Sequence, residues 1–454
     1  MVRRLSVYRR TGGVPVRPAP GAPLVPLALT ALIAGCAASP QVPYAVQSPA
    51  PYATFAFAGT HPVVDAEEEH VVRVGLARDT ASFGLARRWL EGGQWPPPGA
   101  VRPEDFCNAL AVPPAMPTAT VVLASTVFAS PFRPGWDVLA TRVTTPVGAG
   151  VRAPTDVRVI VDPHVDGTAT GPLVESIARA LQARTPGVPF ARERRDVVPS
   201  LRAALASAAP GQELVIISDG AGLGGPEAQR VLLDAVAAAR PNLHVTVVGV
   251  LGSGYDDAFL RALAQAGGGT YVLDDPRGAL AHDALAEGLA RSFERALEAA
   301  WLSIDLDPGV VARWRLVGHE NLVPRGPERP PGRALAAGTT TTVFIELKRL
   351  EDRARVGSAT LYDGGNVVGQ LELGVQPATI RELADATRLY AAAIFAEKLR
   401  GSYWAQRVSW PSLIDATRAG PLAALVERAA ALDAHATGAG LERPVSSPFP
   451  LPTR

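Results

Sequence analysis

Cysteine and lysine are nearly missing from this chain of 454 residues. With only Cys36 and Cys107, a disulfide scaffold is excluded, and no spacing around either resembles a zinc or redox motif. Lys348 and Lys398 stand alone among many arginines, and the heavy use of Ala, Pro and Gly fits a high-GC genome better than a basic binding surface. A formal net charge of +1 gives no indication of a nucleic-acid partner. Long apolar runs are also lacking: the stretch from Leu24 to Ala34 is too short to span a bilayer. The common catalytic signatures fail in turn. No Walker lysine follows Gly222-Leu223-Gly224-Gly225, and Gly267-Gly268-Gly269 precedes a strand rather than a helix. Ser218 has no base and orienting acid that the sequence can assign to it, so no catalytic residue is expected and the chain is read as a non-enzyme. With 47% hydrophobic residues most of the chain should fold, and its length suggests about three domains.

The N-terminus carries the clearest signal. Arg3, Arg4, Arg9 and Arg10 precede the short apolar stretch, which runs into Ile33-Ala34-Gly35-Cys36. A basic segment, a short apolar core and small residues before a cleavage point describe an export signal. Ala34-Gly35 before a cysteine resembles the lipobox of bacterial lipoproteins, which implies acylation of Cys36 as the first residue of the mature chain. Several acyl chains anchor a protein stably where one binds only marginally. Ala37 follows, where an Asp would favour inner-membrane retention, so the resemblance implies the outer membrane.

Residues 1–36 are thus read as a lipoprotein signal peptide and 37–65, rich in Pro, Ala, Ser and Tyr, as a tether. A small α+β N-terminal region is expected over 66–150, with strands at Val71–Leu76, Val121–Phe128 and Val138–Val143 and helices near Phe83 and Phe106. From 156 to 300, short continuous apolar strands alternate with helices, the pattern of a mostly parallel sheet covered on both faces. Strands are placed at Val157–Val161, Leu214–Ile217, Val245–Val250 and Tyr271–Leu273, and helices begin at Pro172, Pro199, Glu227, Asp256 and Ala284. A β-sandwich is expected over 301–376, with a hairpin at Asp363-Gly364-Gly365-Asn366, then helices over 377–436 and a disordered tail over 437–454.

Several segments, in matching order, resemble the bacterial von Willebrand factor type A (VWA) lipoproteins of the YfbK type. Asp79-Thr80-Ala81-Ser82-Phe83, Arg87-Arg88-Trp89-Leu90, Gly93-Gln94, Pro96-Pro97-Pro98 and Val101-Arg102-Pro103-Glu104 look like that family's N-terminal region. Arg315-Leu316-Val317-Gly318-His319-Glu320-Asn321 and the stretch from Ala391 to Lys398 look like its C-terminal region. The resemblance implies an exported envelope protein with a Rossmann-like VWA module between two accessory parts, binding or scaffolding an envelope partner without catalysis.

VWA modules often hold a metal through Asp-x-Ser-x-Ser after the first strand, a Thr on a second loop and an Asp after the fourth strand. Mg²⁺ needs such a near-octahedral set of oxygens. Here Asp162 and Asp219 occupy the first and last positions, but His164 and Asp166 replace both serines. Imidazole suits softer metals, and no Thr or sheet hairpin is legible between Thr185 and Val198. Three readings stand: a degenerate metal-free loop, which is the main expectation; a retuned divalent site on Asp162, His164, Asp166 and Asp219, serving a metal-dependent hydrolase or metal-binding protein; and an ordinary Mg²⁺ site. Cys107 is expected in the core, and His319 and Glu320 are expected to pack or cap in the sandwich.

Overall fold

The computed structural model describes residues 53–112, 119–148, 150–240, 242–275, 281–320, 322–323, 330, 332–351, 355–374 and 378–438. The export signal, Cys36, most of the tether and all but the first two residues of the tail lie outside the described residues, and those two extend a helix. No helix among the described residues is long and apolar enough to cross a membrane.

The chain begins with β1 (Val64–Asp65), β2 (Val71–Gly75), α1 (Ala81–Glu91), α2 (Pro103–Leu110), β3 (Val122–Ala129) and β4 (Asp137–Thr144). The α/β part follows as β5 (Asp156–Val161), α3 (Gly167–Arg184), β6 (Phe190–Arg194), α4 (Val197–Ala206), β7 (Gln212–Ser218), α5 (Pro226–Ala239), β8 (Leu243–Gly249), α6 (Asp257–Ala266), β9 (Gly268–Leu273) and α7 (Ala281–Ser292). After it come β10 (Arg295–Leu306), β11 (Val311–Val317), β12 (Arg333–Ala336), β13 (Thr340–Arg349), β14 (Gly357–Asp363), β15 (Asn366–Leu373), α8 (Ile380–Leu399), α9 (Trp410–Thr417) and α10 (Ala423–Gly438).

The middle strands form one parallel sheet in the order β6-β5-β7-β8-β9. The central strands β5, β7 and β8 are largely buried on both sides because both faces are covered. Ile160, Leu214, Ile216, Val245 and Val247 join the core that includes α4, α5 and α6. Val157, Val159, Val215, Ile217 and Val248 join the core under α3 and α7. The strand order reverses between β5 and β7, and in such sheets ligands bind at the carboxyl ends of the strands beside that reversal.

Three differences from the sequence reading have physical causes. The edge strand β6, Phe-Ala-Arg-Glu-Arg, has no apolar alternation and exists through backbone pairing with β5 from Val157↔Phe190 to Val161↔Arg194. Helix α3 starts at Gly167, five positions before the expected Pro172, because the Asp166 carboxylate caps it by accepting from the Thr168 amide. Helix α7 stops at Ser292 rather than Ala300. The following Glu-Arg-Ala-Leu-Glu run favours helix locally, yet Arg295 pairs with Ala336 and Leu297 with Leu335, so tertiary pairing overrides propensity.

The remaining strands form two antiparallel sheets, one ordered β1-β11-β13-β4-β3 and one ordered β12-β10-β14-β15, with β2 also on β10. Here the N-terminal region and the sandwich, read as successive parts of the sequence, share sheets. β4 pairs β13 over eight positions, from Thr144↔Thr340 to Asp137↔Leu347, and β2 pairs β10 from Val71↔Asp305 to Gly75↔Trp301. The α/β part is therefore an insertion between β4 and β10. The chain entering and leaving it is stitched by reciprocal backbone hydrogen bonds between Arg152 and Arg295, at 2.8 and 2.9 Å. The sandwich core gathers Val72, Val74, Leu139, Leu302, Ile304 and Ile345. Helices α8, α9 and α10 pack with α1 and α2 over the outer face of the first sheet, around Val138, Ala140 and Phe344. The β14–β15 hairpin turns at Gly364-Gly365, with Asp363 opposite Asn366.

Candidate functional site

Strands β5 and β7 run side by side, with Val161 opposite Ile217, so their carboxyl ends deliver Asp162 and Ser218-Asp219 to one edge. Asp162 is 1% exposed, and its charge is held by three hydrogen bonds. Ser218 Oγ donates to Asp162 Oδ2 at 2.6 Å. The His164 amide and ring Nδ1 both reach Asp162 Oδ1, at 3.0 and 2.8 Å. Ser218 Oγ in turn accepts from the Gly220 amide at 2.9 Å.

Asp219 is also buried, and its Oδ1 accepts from the Ala221 amide at 2.9 Å. The β8–α6 loop closes on it tightly. A Cβ on Gly252 would stand 2.2 Å from Asp219 Oδ2, so only glycine fits there. Gly220 has a φ of +80°, and any side chain on it would meet Asp256. His164, by contrast, is largely exposed between the β5 and β7 loops. Hydrogen bonding to Asp162, then that carboxylate's charge, with smaller contributions from Asp219 and Asp196, raises its pKa above the ordinary histidine value.

The structure brings Asp162, His164 and Asp219 to one edge but turns Asp166 away. Asp166 Oδ1 accepts from the Thr168 amide at 2.8 Å and hydroxyl at 2.7 Å, and these bonds lower its pKa. Sequence reasoning missed two supports of the site. Ser218 was weighed only as a nucleophile, whereas its hydroxyl holds Asp162. Arg194, on the unforeseen strand β6, donates to the carbonyls of Pro163 at 2.9 Å and Val165 at 2.6 Å and clamps the His164 loop. Only the charge run Glu193-Arg194-Arg195-Asp196 hinted at it.

Among the described residues no group of three or more His, Cys, Asp and Glu side chains is arranged to hold a metal ion. Both oxygens of Asp162 are already engaged, Asp166 caps its helix, and no second-loop threonine contributes, so the residues present do not fit octahedral Mg²⁺. Titrating the full chain with millimolar Mg²⁺ in a calorimeter is expected to give no binding isotherm. Any divalent ion that does bind is expected to be Zn²⁺ or Mn²⁺ and to be lost in His164→Ala. A micromolar Mg²⁺ isotherm abolished by Asp162→Ala would overturn this assignment.

The motifs at the two ends meet elsewhere, in the body of the molecule. The His319 amide donates to Glu104 Oε2 at 3.0 Å, and Glu320 accepts from Arg400 at 2.6 Å. Cys107 is buried beside the Leu389 carbonyl, and burial pushes its thiol pKa up.

A family model described as von Willebrand factor (vWF_A) matches residues 51–139. The match marks this segment as similar to a VWA domain. The matched segment ends in β4 and precedes the parallel sheet of the VWA module. No curated protein matches the chain. Similar solved structures include the pilus adhesin SpaC of Lactobacillus rhamnosus GG in an open conformation, 9% identical over 59% of this chain and 49% of that one, with a TM-score of 0.26. Another is apo translation elongation factor SelB of Methanococcus maripaludis, 8% identical over 45% of this chain and 56% of that one, with a TM-score of 0.20. The chain spans about half the length of these two structures, and at such scores neither likeness bears on fold or function.

Proposed function

We propose that this VWA-domain protein is exported and lipid-anchored through Cys36, is a relative of the YfbK-type lipoproteins, and docks another envelope protein without catalysis. One observation carries the docking reading: the edge where β5 and β7 end presents an exposed imidazole bonded to the buried Asp162, with the buried Asp219 at the neighbouring strand end. Asp162 is buried and its two oxygens hold Ser218 and the His164 loop in place. His164, whose protonated form Asp162 favours, offers an N–H to an acidic partner side chain, where a metal would otherwise offer its open position. Arg194 and Gly252 keep the loops rigid, which lowers the entropic cost of binding. The N-terminal basic, apolar and small-residue pattern supports export, and Ala37 supports the outer membrane.

Affinity capture of the full chain from detergent-solubilised envelope, with quantitative mass spectrometry, tests the reading. A specific envelope protein should be recovered with wild type and reduced roughly tenfold in His164→Ala and Asp219→Asn. Recovery unchanged in both variants would place docking elsewhere and end the assignment. For the anchor, Cys36→Ala should abolish metabolic labelling with a fatty-acid analogue, and persistent labelling would exclude lipidation at Cys36.

A further inference from the structure

A cavity of about 540 Å³ lies away from the VWA site, between α1, strand β9, α7 and the β12–β13 connection. That volume is within the range of small-molecule sites. Its walls are largely apolar, with Phe83 on α1, Leu273 on β9, and Leu285 and Leu289 on α7. Four arginines line it, Arg78, Arg87, Arg291 and Arg295, against the two carboxylates Glu213 and Asp275.

The carboxylates are already committed. Glu213 accepts from Arg295 at 2.8 Å and from the Thr246 hydroxyl at 2.7 Å. Asp275 pairs with Arg87 at 2.5 Å. Arg291 reaches Glu287 only at 3.4 Å, with both side chains more than a third exposed, a pairing that solvent weakens. Arg78 donates to the Thr340 carbonyl and has no carboxylate partner among the described residues. Burial, and then the charge of Arg291, lower its pKa to about 10. His244 lines the cavity too, with Nδ1 buried and without a hydrogen-bond partner among the described residues. An unpaired guanidinium beside a second arginine on an apolar wall is costly unless an anion completes it.

We propose that this cavity binds a small organic carboxylate, whose charged group is gripped by Arg78 and Arg291 and whose apolar body lies on Phe83, Leu273 and Leu285. Guanidinium groups match carboxylates in a two-pronged geometry, and a partly dehydrated setting strengthens the pair. The apolar walls discriminate against a bare inorganic anion, which would leave them uncovered.

Gly288 supplies a variant that closes the cavity without weakening the fold. It lines the cavity on α7, and a Cβ there would meet nothing within 4 Å. Replacing glycine inside a helix also favours the helix. The full chain is titrated with 4-phenylbutanoate, and separately with 4-phenylbutylamine and inorganic phosphate. Wild type should bind the acid with a Kd below about 1 mM, and neither of the others measurably. Arg78→Met should weaken the acid at least about tenfold, Gly288→Phe should abolish its binding, and Arg230→Met, at an exposed position of α5, should change nothing. No binding of the acid to wild type, equal binding of the amine or phosphate, or unchanged affinity in both cavity variants overturns the proposal.

Discussion

Replacing Arg315 with methionine is expected to destabilise the folded chain by about 3–5 kcal/mol, the usual cost of removing one partner from a buried ion pair. Arg315 stands on β11 at 0% exposure, between the first antiparallel sheet and α8. Its Nε donates to Glu346 Oε2 at 3.0 Å, and its Nη1 to Glu397 Oε2 at 3.4 Å. Glu346 also accepts from Arg133 at 2.7 Å and from the Tyr390 hydroxyl at 2.7 Å, while Arg400 bridges Glu397 and Glu320. Methionine keeps much of the stem but leaves Glu397 with Arg400 alone and Glu346 short of one cation. The measurement is urea unfolding followed by tryptophan fluorescence, and a loss under about 1 kcal/mol would show that the network is not coupled to folding.

The same network sets an acid limit. Although burial opposes it, the charge and hydrogen bond of Arg315 hold the Glu346 carboxyl down at about 2 against an ordinary 4.5. A depressed folded pKa means that the unfolded chain binds the proton first. The stabilisation is therefore complete above pH 4.5 and is lost as pH falls toward about 2. Wild-type stability, measured by urea unfolding at successive pH values, should fall across that window.

The second large effect is expected at Asp79. Arg333, on β12, donates both Nη atoms to Asp79 and its Nε to the Gly269 carbonyl at 2.9 Å, while the Tyr271 amide donates to Asp79 Oδ1 at 2.6 Å. One carboxylate thus joins the segment before α1, the edge strand β9 of the VWA module, and the sandwich. Asp79→Ala leaves Arg333 buried at 2% exposure without its counter-ion, again a cost of about 3–5 kcal/mol. Because the lost contacts lie between the inserted module and its host sheets, the thermal transition should split into two in calorimetry. A single transition at the wild-type temperature would refute this coupling.

Asp79 and Arg315 both belong to the motif segments Asp79–Phe83 and Arg315–Asn321. The structure gives those segments a mechanical meaning. Gly318, at φ +73°, lets the Arg315–Glu320 segment turn against Pro103 and Glu104, where a Cβ would stand 2.8 Å from Glu104 Oε2. The motif residues hold the N-terminal and C-terminal parts together and lie apart from the site at Asp162.

Periodicity alone was enough for four of the strands of the parallel sheet, their burial on both faces, and the placing of Asp162 and Asp219 at carboxyl ends of strands. Continuous apolar runs of strand length have few other stable arrangements. Strand pairing was not legible: β4 and β13 lie about two hundred positions apart, and alternation says which face is buried but not which strand covers it. For the same reason the insertion of the module into a shared sandwich was invisible, as was β6, whose polar residues form a strand only because β5 offers an open edge. Residue types at the site could be read, but not their directions. Tertiary structure turned Asp166 to its helix, brought Ser218 to Asp162 and carried Arg194 across to the His164 loop, because hydrogen-bond partners are settled by distances that sequence spacing does not contain.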